Sequence, residues 1–191
     1  YVLDAEPDAH IILGFNRYVS QIEYIERVAT GNLEEILQKY PVSKGDVYFI
    51  PAGMVHSICK GCLIMEVQQA SDLTYRIYDW NRVDESGQPR ELHTALAVDA
   101  IDFEADADLL HKPYNLGSGG EAKVIDSKFF TMTMHDVAGH KELDRSALDS
   151  FVIYIALEGS VRITADGAEE SLAEGELVLV PAECCDIEFE G

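Results

Sequence analysis

The amino-acid sequence predicts an all-β dominated protein with two β-barrels in tandem and a small helical insertion in the first. The first observation is an internal repeat. Residues 45–58 (GDVYFIPAGMVHSI) and 175–188 (GELVLVPAECCDIE) share a glycine, an acidic residue, an apolar run and a Pro-Ala pair. Each copy reads as a short apolar strand entering a tight turn, the outline of one barrel edge. The second observation is that residues 1–15 and 154–167 each predict two strands joined by a turn.

The helical insertion is expected between about 16 and 44, where the first copy of the repeat is longer than the second. Asn16 is placed to cap a helix, which the Gly-Asn pair at 31–32 would end, and residues 33–37 indicate a second short helix. The apolar positions of the first helix recur every three residues, at Val19, Ile22, Ile25 and Val28.

The remaining pattern favours strands and sets the predicted domain limits. The first barrel, the metal and active-site domain, is expected over 1–101, a linker over 102–120 and the second barrel over 121–191. In the first barrel we expect strands at 47–50, 63–68 and 73–80 and a helix at 92–101. In the second we expect strands near 129–135, 151–157, 160–164 and 177–180.

Composition excludes several classes of partner. The 191 residues carry a formal net charge of −21, from 14 basic and 35 acidic residues, which argues against nucleic acid and anionic membranes. The sequence has no apolar run of about 18 residues, which a transmembrane helix would need, and no visible secretory signal. A cytoplasmic location is therefore expected.

The four cysteines allow more than one interpretation. Cys59 and Cys62 form a C-x-x-C, which suits a redox pair or half of a zinc site. The flanking pattern is strand-like, however, whereas a reactive thiol of this kind needs a helix N-terminus. Adjacent Cys184 and Cys185 make a poor second half of a zinc site. We therefore predict reduced, partly buried structural cysteines.

The segment G-D-x-x-x-I-P-A-G-x-x-H at 45–56 resembles the second motif of the cupin barrels. That resemblance implies jelly-roll barrels in which His56 points inward as a candidate metal ligand. In the second copy Asp186 stands opposite His56, so the second barrel is expected to lack metal ligands.

The string that follows is more specific. Residues 53–82 (GMVHSICKGCLIMEVQQASDLTYRIYDWNR) and 89–93 (PRELH) resemble the short class of type I mannose-6-phosphate isomerase. The resemblance extends from Tyr1 into the second barrel, although its specific motifs lie within 45–93. The hallmark residues are His56, Glu66, Ser71, Asp72, Tyr75, Arg76, Tyr78, Asp79 and Arg82.

The resemblance implies a zinc enzyme that interconverts mannose 6-phosphate and fructose 6-phosphate through an enediol. It implies His56 as a zinc ligand, Arg76 as the catalytic and substrate-binding cation, and Glu66 as an acidic residue of the same pocket. The family's other zinc ligands would precede Tyr1. We therefore expect a chain truncated at both ends that is inactive alone, with zinc weakly held or absent.

These residue types suit isomerisation of a small-molecule sugar phosphate. Zinc can polarise sugar oxygens as a Lewis acid. A guanidinium such as that of Arg76 stays charged and can stabilise an enediolate or hold phosphate by two hydrogen bonds. The carboxylate of Glu66 could move the proton between carbons. Alternation over 73–80 would place Thr74, Tyr78 and Trp80 beside Arg76 on one face.

Two other functions compete with this one. A non-catalytic sugar- or metabolite-binding cupin would bind ligand without turnover. A metal-dependent oxygenase needs two histidines and a carboxylate on one face, and the chain contains neither H-x-H nor H-x-x-x-H. His93 could contact substrate or cap the 92–101 helix, whereas His135 and His140 are expected at the surface or in turns. The sequence leaves the oligomeric state open.

Overall fold

The computed structural model describes residues 1–71, 73–80, 82–106, 110–117 and 119–191, and it is mostly β-strand with few helices. The predicted all-β dominated class is therefore confirmed. The chain divides into two compact units, Tyr1–Pro113 and Tyr114–Gly191. The boundary between them lies inside the segment 102–120 that was predicted as a linker.

Among its described residues, the first unit contains five strands in two antiparallel sheets. One sheet pairs β1 with β5, and the other has the order β3-β2-β4. The strands are β1 (Val2–Ala5), β2 (His10–Phe15), β3 (Leu37–Pro41), β4 (His56–Ile58) and β5 (Cys62–Ile64). The helices are α1 (Gln21–Thr30), a 3-10 helix (Leu33–Ile36) and α2 (Thr94–Ala97).

The helical insertion is present, but its cap and its buried face differ from the prediction. Ser20 rather than Asn16 caps α1, since its hydroxyl accepts a hydrogen bond from the backbone N–H of Glu23 at 3.2 Å. The Asn16 amide instead donates to the carbonyl of Glu35 at 2.9 Å. Ile22 and Ile25 are exposed, because α1 turns the side chain of Tyr24 toward the core.

Two predicted strands are absent from the described residues. Segment 47–50 makes only an isolated bridge, between Tyr48 and His111. The sequence of segment 73–80 alternates as that of a strand would, yet no strand among the described residues pairs with it. The predicted strand at 63–68 is shortened, because β5 ends at Ile64, and the predicted 92–101 helix is reduced to α2.

The described part of the second unit contains eight strands, and those predicted near 129–135, 151–157, 160–164 and 177–180 are confirmed with small shifts at their ends. β6 pairs with β7, β12 pairs with β9, and a third sheet has the order β11-β10-β13-β8. The strands are β6 (Glu121–Asp126), β7 (Thr131–His135), β8 (His140–Asp144), β9 (Val152–Ile155), β10 (Ser160–Ala165), β11 (Ala168–Ala173), β12 (Leu177–Val180) and β13 (Asp186–Glu190).

Apolar side chains of the described residues form three clusters. β2 is covered on both faces, with Ile11 and Leu13 in one cluster and Ile12 in the other. We call these the Met54 cluster (Val2, Ala9, Ile11, Leu13, Val42, Met54, Leu110) and the Tyr24 cluster (Ile12, Val19, Tyr24, Leu33, Ile36, Leu37, Val55). The second unit holds the Phe189 cluster (Ala156, Ile163, Leu172, Val180, Ile187, Phe189).

The helices of the described residues are too short and too polar to cross a lipid bilayer.

Candidate active site

His56 is the first residue of β4 and lies on the side of the sheet that carries the Met54 cluster. It pairs with Leu13 of β2, and directly paired residues of neighbouring strands share a face. Leu13 is buried in that cluster together with Met54, while His56 itself is exposed. The imidazole therefore stands on the core side of the sheet, in contact with solvent.

One nitrogen of the His56 ring is fixed by the backbone. Nδ1 lies 2.8 Å from the carbonyl oxygen of Met54. Because a carbonyl can only accept a hydrogen bond, Nδ1 carries the hydrogen and the neutral ring keeps its lone pair on Nε2. Metal-binding histidines typically donate one ring N–H to such a partner, so His56 fits the role of a single metal ligand.

The turn before β4 depends on Gly53. Its φ is +88°, in the left-handed region, and an added Cβ would lie 3.0 Å from the carbonyl oxygen of Ala100. The Gly53 carbonyl accepts a hydrogen bond from the backbone of Asp102 at 2.9 Å, and the N–H of Met54 donates to the carbonyl of Pro51 at 3.3 Å. The turn is thus held against the segment after α2, which fixes where β4 and His56 begin.

The strand pair that carries His56 has a counterpart in the second unit. His56 lies opposite Leu13 in β2–β4, and Ile187 lies opposite Ala165 in β10–β13. Along the repeat, Ile12 and Ser57 correspond to Ala165 and Ile187, and Ile12 lies opposite Ser57 just as Ala165 lies opposite Ile187. The register of the two strand pairs is therefore the same, and Asp186 holds the place in the second unit that His56 holds in the first.

The residues before β4 and β13 bond to different neighbours. The carbonyl of Val55 accepts a hydrogen bond from the N–H of Gly14 of β2 at 2.7 Å, whereas the carbonyl of Cys185 accepts one from the N–H of Arg145 after β8, also at 2.7 Å. Ile187, only 1% exposed, lies in the core of the second unit, whereas Ser57 of the first unit is only partly buried.

Arg76 is half-buried and joined to His93 by two backbone hydrogen bonds. The N–H of Arg76 donates to Nδ1 of His93 at 3.2 Å, and the N–H of His93 donates to the carbonyl of Arg76 at 2.7 Å. The guanidinium donates to the carbonyl of Glu91 at 3.3 Å. His93 sits at the N-terminus of α2 without a capping hydrogen bond, so its ring holds Arg76 rather than the helix.

An ion pair that the sequence analysis did not find lies three residues after Arg76. The carboxylate of Asp79 is buried, and Arg90 donates to both of its oxygens, from Nε at 2.8 Å and from Nη2. Hydrogen bonding from Arg90 lowers the pKa of Asp79, and Asp79 in turn raises the pKa of Arg90. Both residues lie in the segments 53–82 and 89–93 that carry the family resemblance, but nothing in those segments indicates that the two residues pair.

Glu66 is exposed and follows β5 by two residues. Within the described part of the chain, no hydrogen bond or ion pair joins Glu66, His56 and Arg76 to one another. A cavity of about 640 Å³ lies beside Phe15, Tyr40 and Phe103, and none of the three predicted site residues lines it.

The other hallmark residues have structural contacts. The hydroxyl of Tyr78 donates to Glu34 of the 3-10 helix at 2.7 Å, and this hydrogen bond raises the pKa of Tyr78. Ile77, Tyr78 and Trp80 all pack against the Tyr24 cluster, so the predicted sugar-facing wall is not formed by simple alternation. Ser71 accepts from the N–H of Leu73, and Asp72 lies outside the described residues.

The cysteines are free and partly buried, as predicted. Burial raises the pKa of the Cys59 thiol, which lowers its reactivity, and the Cys62 thiol contacts the carbonyl of His10 at 3.6 Å. Among the residues that the structure describes, no three His, Cys, Asp or Glu side chains form a group that could hold a metal ion.

The two histidines of the second unit differ from each other. His135 is only partly exposed: its ring stacks on Phe189, and burial lowers its pKa. His140 is exposed as expected, and its hydrogen bond to Glu142 at 3.0 Å raises its pKa.

The comparisons with known proteins agree on what this chain is similar to. Residues 121–191 match the family "Mannose-6-phosphate isomerase, cupin domain". The mannose-6-phosphate isomerase of Streptococcus mutans is 31% identical over 191 residues, which cover 100% of this chain and 60% of that protein. The chain thus spans about 60% of the length of such curated relatives.

Solved structures agree. The crystal structure of the mannose 6-phosphate isomerase from Bacillus subtilis matches with a TM-score of 0.89 at 31% identity, covering 100% of this chain and 60% of that one. A mutant of phosphomannose isomerase from Salmonella typhimurium matches with a TM-score of 0.70 at 14% identity, over 100% of this chain and 64% of that one, a likeness in fold alone.

Proposed function

We propose that this chain serves the interconversion of mannose 6-phosphate and fructose 6-phosphate. It resembles the mannose-6-phosphate isomerases along its length, and residues 121–191 match their cupin-domain family. The observation that carries this proposal is the match to the Bacillus subtilis enzyme at a TM-score of 0.89 over the whole chain. That match includes residues 45–93, where the predicted site residues lie.

We also propose that each unit is part of a cupin-type jelly-roll barrel, as the family resemblance implies. The sheet orders β3-β2-β4 and β11-β10-β13 support a common plan, because the strands of each triplet follow the same order along the chain. The two predicted barrels, over 1–101 and 121–191, would then lie within the compact units Tyr1–Pro113 and Tyr114–Gly191.

The family resemblance implies a zinc ion with His56 as one ligand. The ring orientation of His56 fits that role, because Nδ1 is bound to the Met54 carbonyl and Nε2 is available. A catalytic zinc site normally has about three protein ligands, and the described residues provide no such group. By themselves the described residues do not form a zinc site.

The roles of the chain's own residues follow from the chemistry. Isomerisation removes a proton from C2 of the aldose and returns it to C1, through an enediol whose oxygens become negative. The guanidinium of Arg76 stabilises that charge, and no carboxylate of the described residues forms an ion pair with it. Glu66, exposed beyond β5, is the proposed carrier of the proton.

The test is direct. The natural protein that contains this chain is supplied with mannose 6-phosphate, and formation of fructose 6-phosphate is followed by a coupled assay. We expect turnover. Binding of mannose 6-phosphate in calorimetry without turnover would overturn the isomerase proposal in favour of a non-catalytic sugar-binding cupin. Failure to bind either sugar phosphate would overturn both.

A further inference from the structure

We propose that Asp79 and Arg90 are positioning residues, whose ion pair sets the direction of the Arg76 guanidinium. This inference rests on the proposed function, since it assigns a purpose to Arg76 in isomerisation. It concerns two segments that are separate in the sequence, 73–80 and 89–93, and the contacts that lock one to the other.

The ion pair has the geometry of a rigid connection. Asp79 is 6% exposed, and Arg90 approaches it from the surface with its side chain 52% exposed. Two parallel hydrogen bonds, from Nε and Nη2 of Arg90 to the two oxygens of Asp79, restrain both distance and rotation. A single-point contact such as a lysine would restrain the distance alone.

Arg76 is attached to the same two segments. It precedes Asp79 by three residues, and its guanidinium donates to the carbonyl of Glu91, the residue after Arg90. Its backbone exchanges two hydrogen bonds with His93, at 3.2 and 2.7 Å. The ion pair of Asp79 with Arg90 and the hydrogen bonds of Arg76 thus join the same two segments at two places. We call these joined segments, 73–80 and 89–93, the bracket.

The backbone beside Asp79 requires such a restraint. Trp80 has a φ of +49°, in the left-handed region, which is rare and unfavourable for a bulky side chain. Conformations of this kind persist when the surroundings hold them, and they cluster at functional sites. Here the carbonyl of Asp79 accepts from Arg82 at 2.9 Å, and the Arg82 guanidinium lies 5.1 Å from the centre of the Trp80 ring.

The experiment replaces Arg90 in the natural full-length protein. We expect Arg90→Ala to lower kcat on the order of 10- to 100-fold with a smaller change in KM, because the reacting groups remain but lose their alignment. Arg90→Lys should restore part of the loss. Arg17→Ala is the matched control, because Arg17 also makes two hydrogen bonds to one carboxylate, that of Glu23, on the surface of the same unit.

A double-mutant cycle separates positioning from general stability. If Arg90 acts through Arg76, adding Arg90→Ala to Arg76→Ala should cause no further loss of kcat. Additive losses, or wild-type kcat in Arg90→Ala, would overturn the positioning role. If Arg90→Ala does not fold, the same cycle with Arg90→Lys decides the matter. Wild-type kcat in Arg76→Ala is a different failure, since it removes Arg76 from the proposed function itself.

Discussion

Arg76 and His93 are bound to each other in both directions, each through its own backbone N–H. Because Nδ1 of His93 accepts the hydrogen bond from Arg76, the hydrogen of the neutral ring is on Nε2. The His93 ring thereby accepts, from the backbone of segment 73–80, a hydrogen bond that a neighbouring strand would accept in a sheet. Both residues lie in the segments that resemble the mannose-6-phosphate isomerases, and their hydrogen bonds help to hold the bracket of segments 73–80 and 89–93 together.

The ion pair between Asp79 and Arg90 should contribute less to the stability of the bracket in acid. Arg90 lowers the pKa of Asp79 below its ordinary value of about 3.9, so the unfolded chain takes up the proton first as the pH falls. The contribution of the pair is therefore fully present above about pH 4 and is lost as the pH falls through the lowered pKa. We expect the loss of unfolding free energy caused by Arg90→Ala, measured in urea, to be larger at pH 7 than at pH 3.

In an Asp79→Asn background that pH dependence should disappear, since no carboxylate remains to titrate at this position. An equal loss at pH 7 and pH 3 in the unmodified background would contradict the pairing.

The turn that precedes His56 should not tolerate a side chain. Gly53 and Gly31 both have positive φ, but a Cβ on Gly31 meets nothing within 4 Å, whereas one on Gly53 meets the backbone of Ala100 at 3.0 Å. Gly31→Ala should cost about 1–2 kcal/mol from backbone strain alone. Gly53→Ala should lower the free energy of unfolding, measured in denaturant, by more than Gly31→Ala does. Equal losses in the two variants would show that the turn at Gly53 rearranges to accept a Cβ.

His56 should hold zinc in the natural protein. We expect stoichiometric zinc by metal analysis in the wild type and a reduced content in His56→Gln, because one ligand nitrogen is lost. His10→Gln is a close control: Nδ1 of His10 also lies near the carbonyl two residues earlier, that of Asp8, at 3.2 Å. Unchanged zinc in His56→Gln would remove His56 from the metal site.

The second unit should depend on Ile187. Its side chain is 1% exposed within the Phe189 cluster, so Ile187→Ala should cost about 2–5 kcal/mol of unfolding free energy. Ile153→Ala removes the same atoms at a position that is 47% exposed, and should change stability by about 0.5 kcal/mol or less. Similar costs for the two variants would contradict this core assignment.

Much of the second unit could be predicted from the sequence. Its strands alternate or run apolar between glycine turns, and β10 and β12 lie where that pattern places them. Segment 73–80 has the same kind of alternation but forms no strand, because a strand also needs a partner for its backbone. The N–H of Arg76 is bound by the ring of His93 instead, and local periodicity carries no information about that contact.

The candidate site was predictable in part. The motif predicted a turn before His56, but no strand was predicted at 56–58, where β4 lies. The prediction of which face of α1 is buried was wrong, because spacing alone did not distinguish exposed Ile22 from buried Tyr24. The bond between Asp79 and Arg90 joins residues on two loops, so neither residue's local sequence indicated its partner.

The most direct test of the proposed function is the turnover of Arg76→Ala and Arg76→Lys at equal zinc content. In the natural protein we expect Arg76→Ala to lower kcat for mannose 6-phosphate on the order of 100-fold or more, as for loss of a group that stabilises developing negative charge. Arg76→Lys should recover part of it, because a cation remains. Near-normal kcat in Arg76→Ala would contradict the central claim.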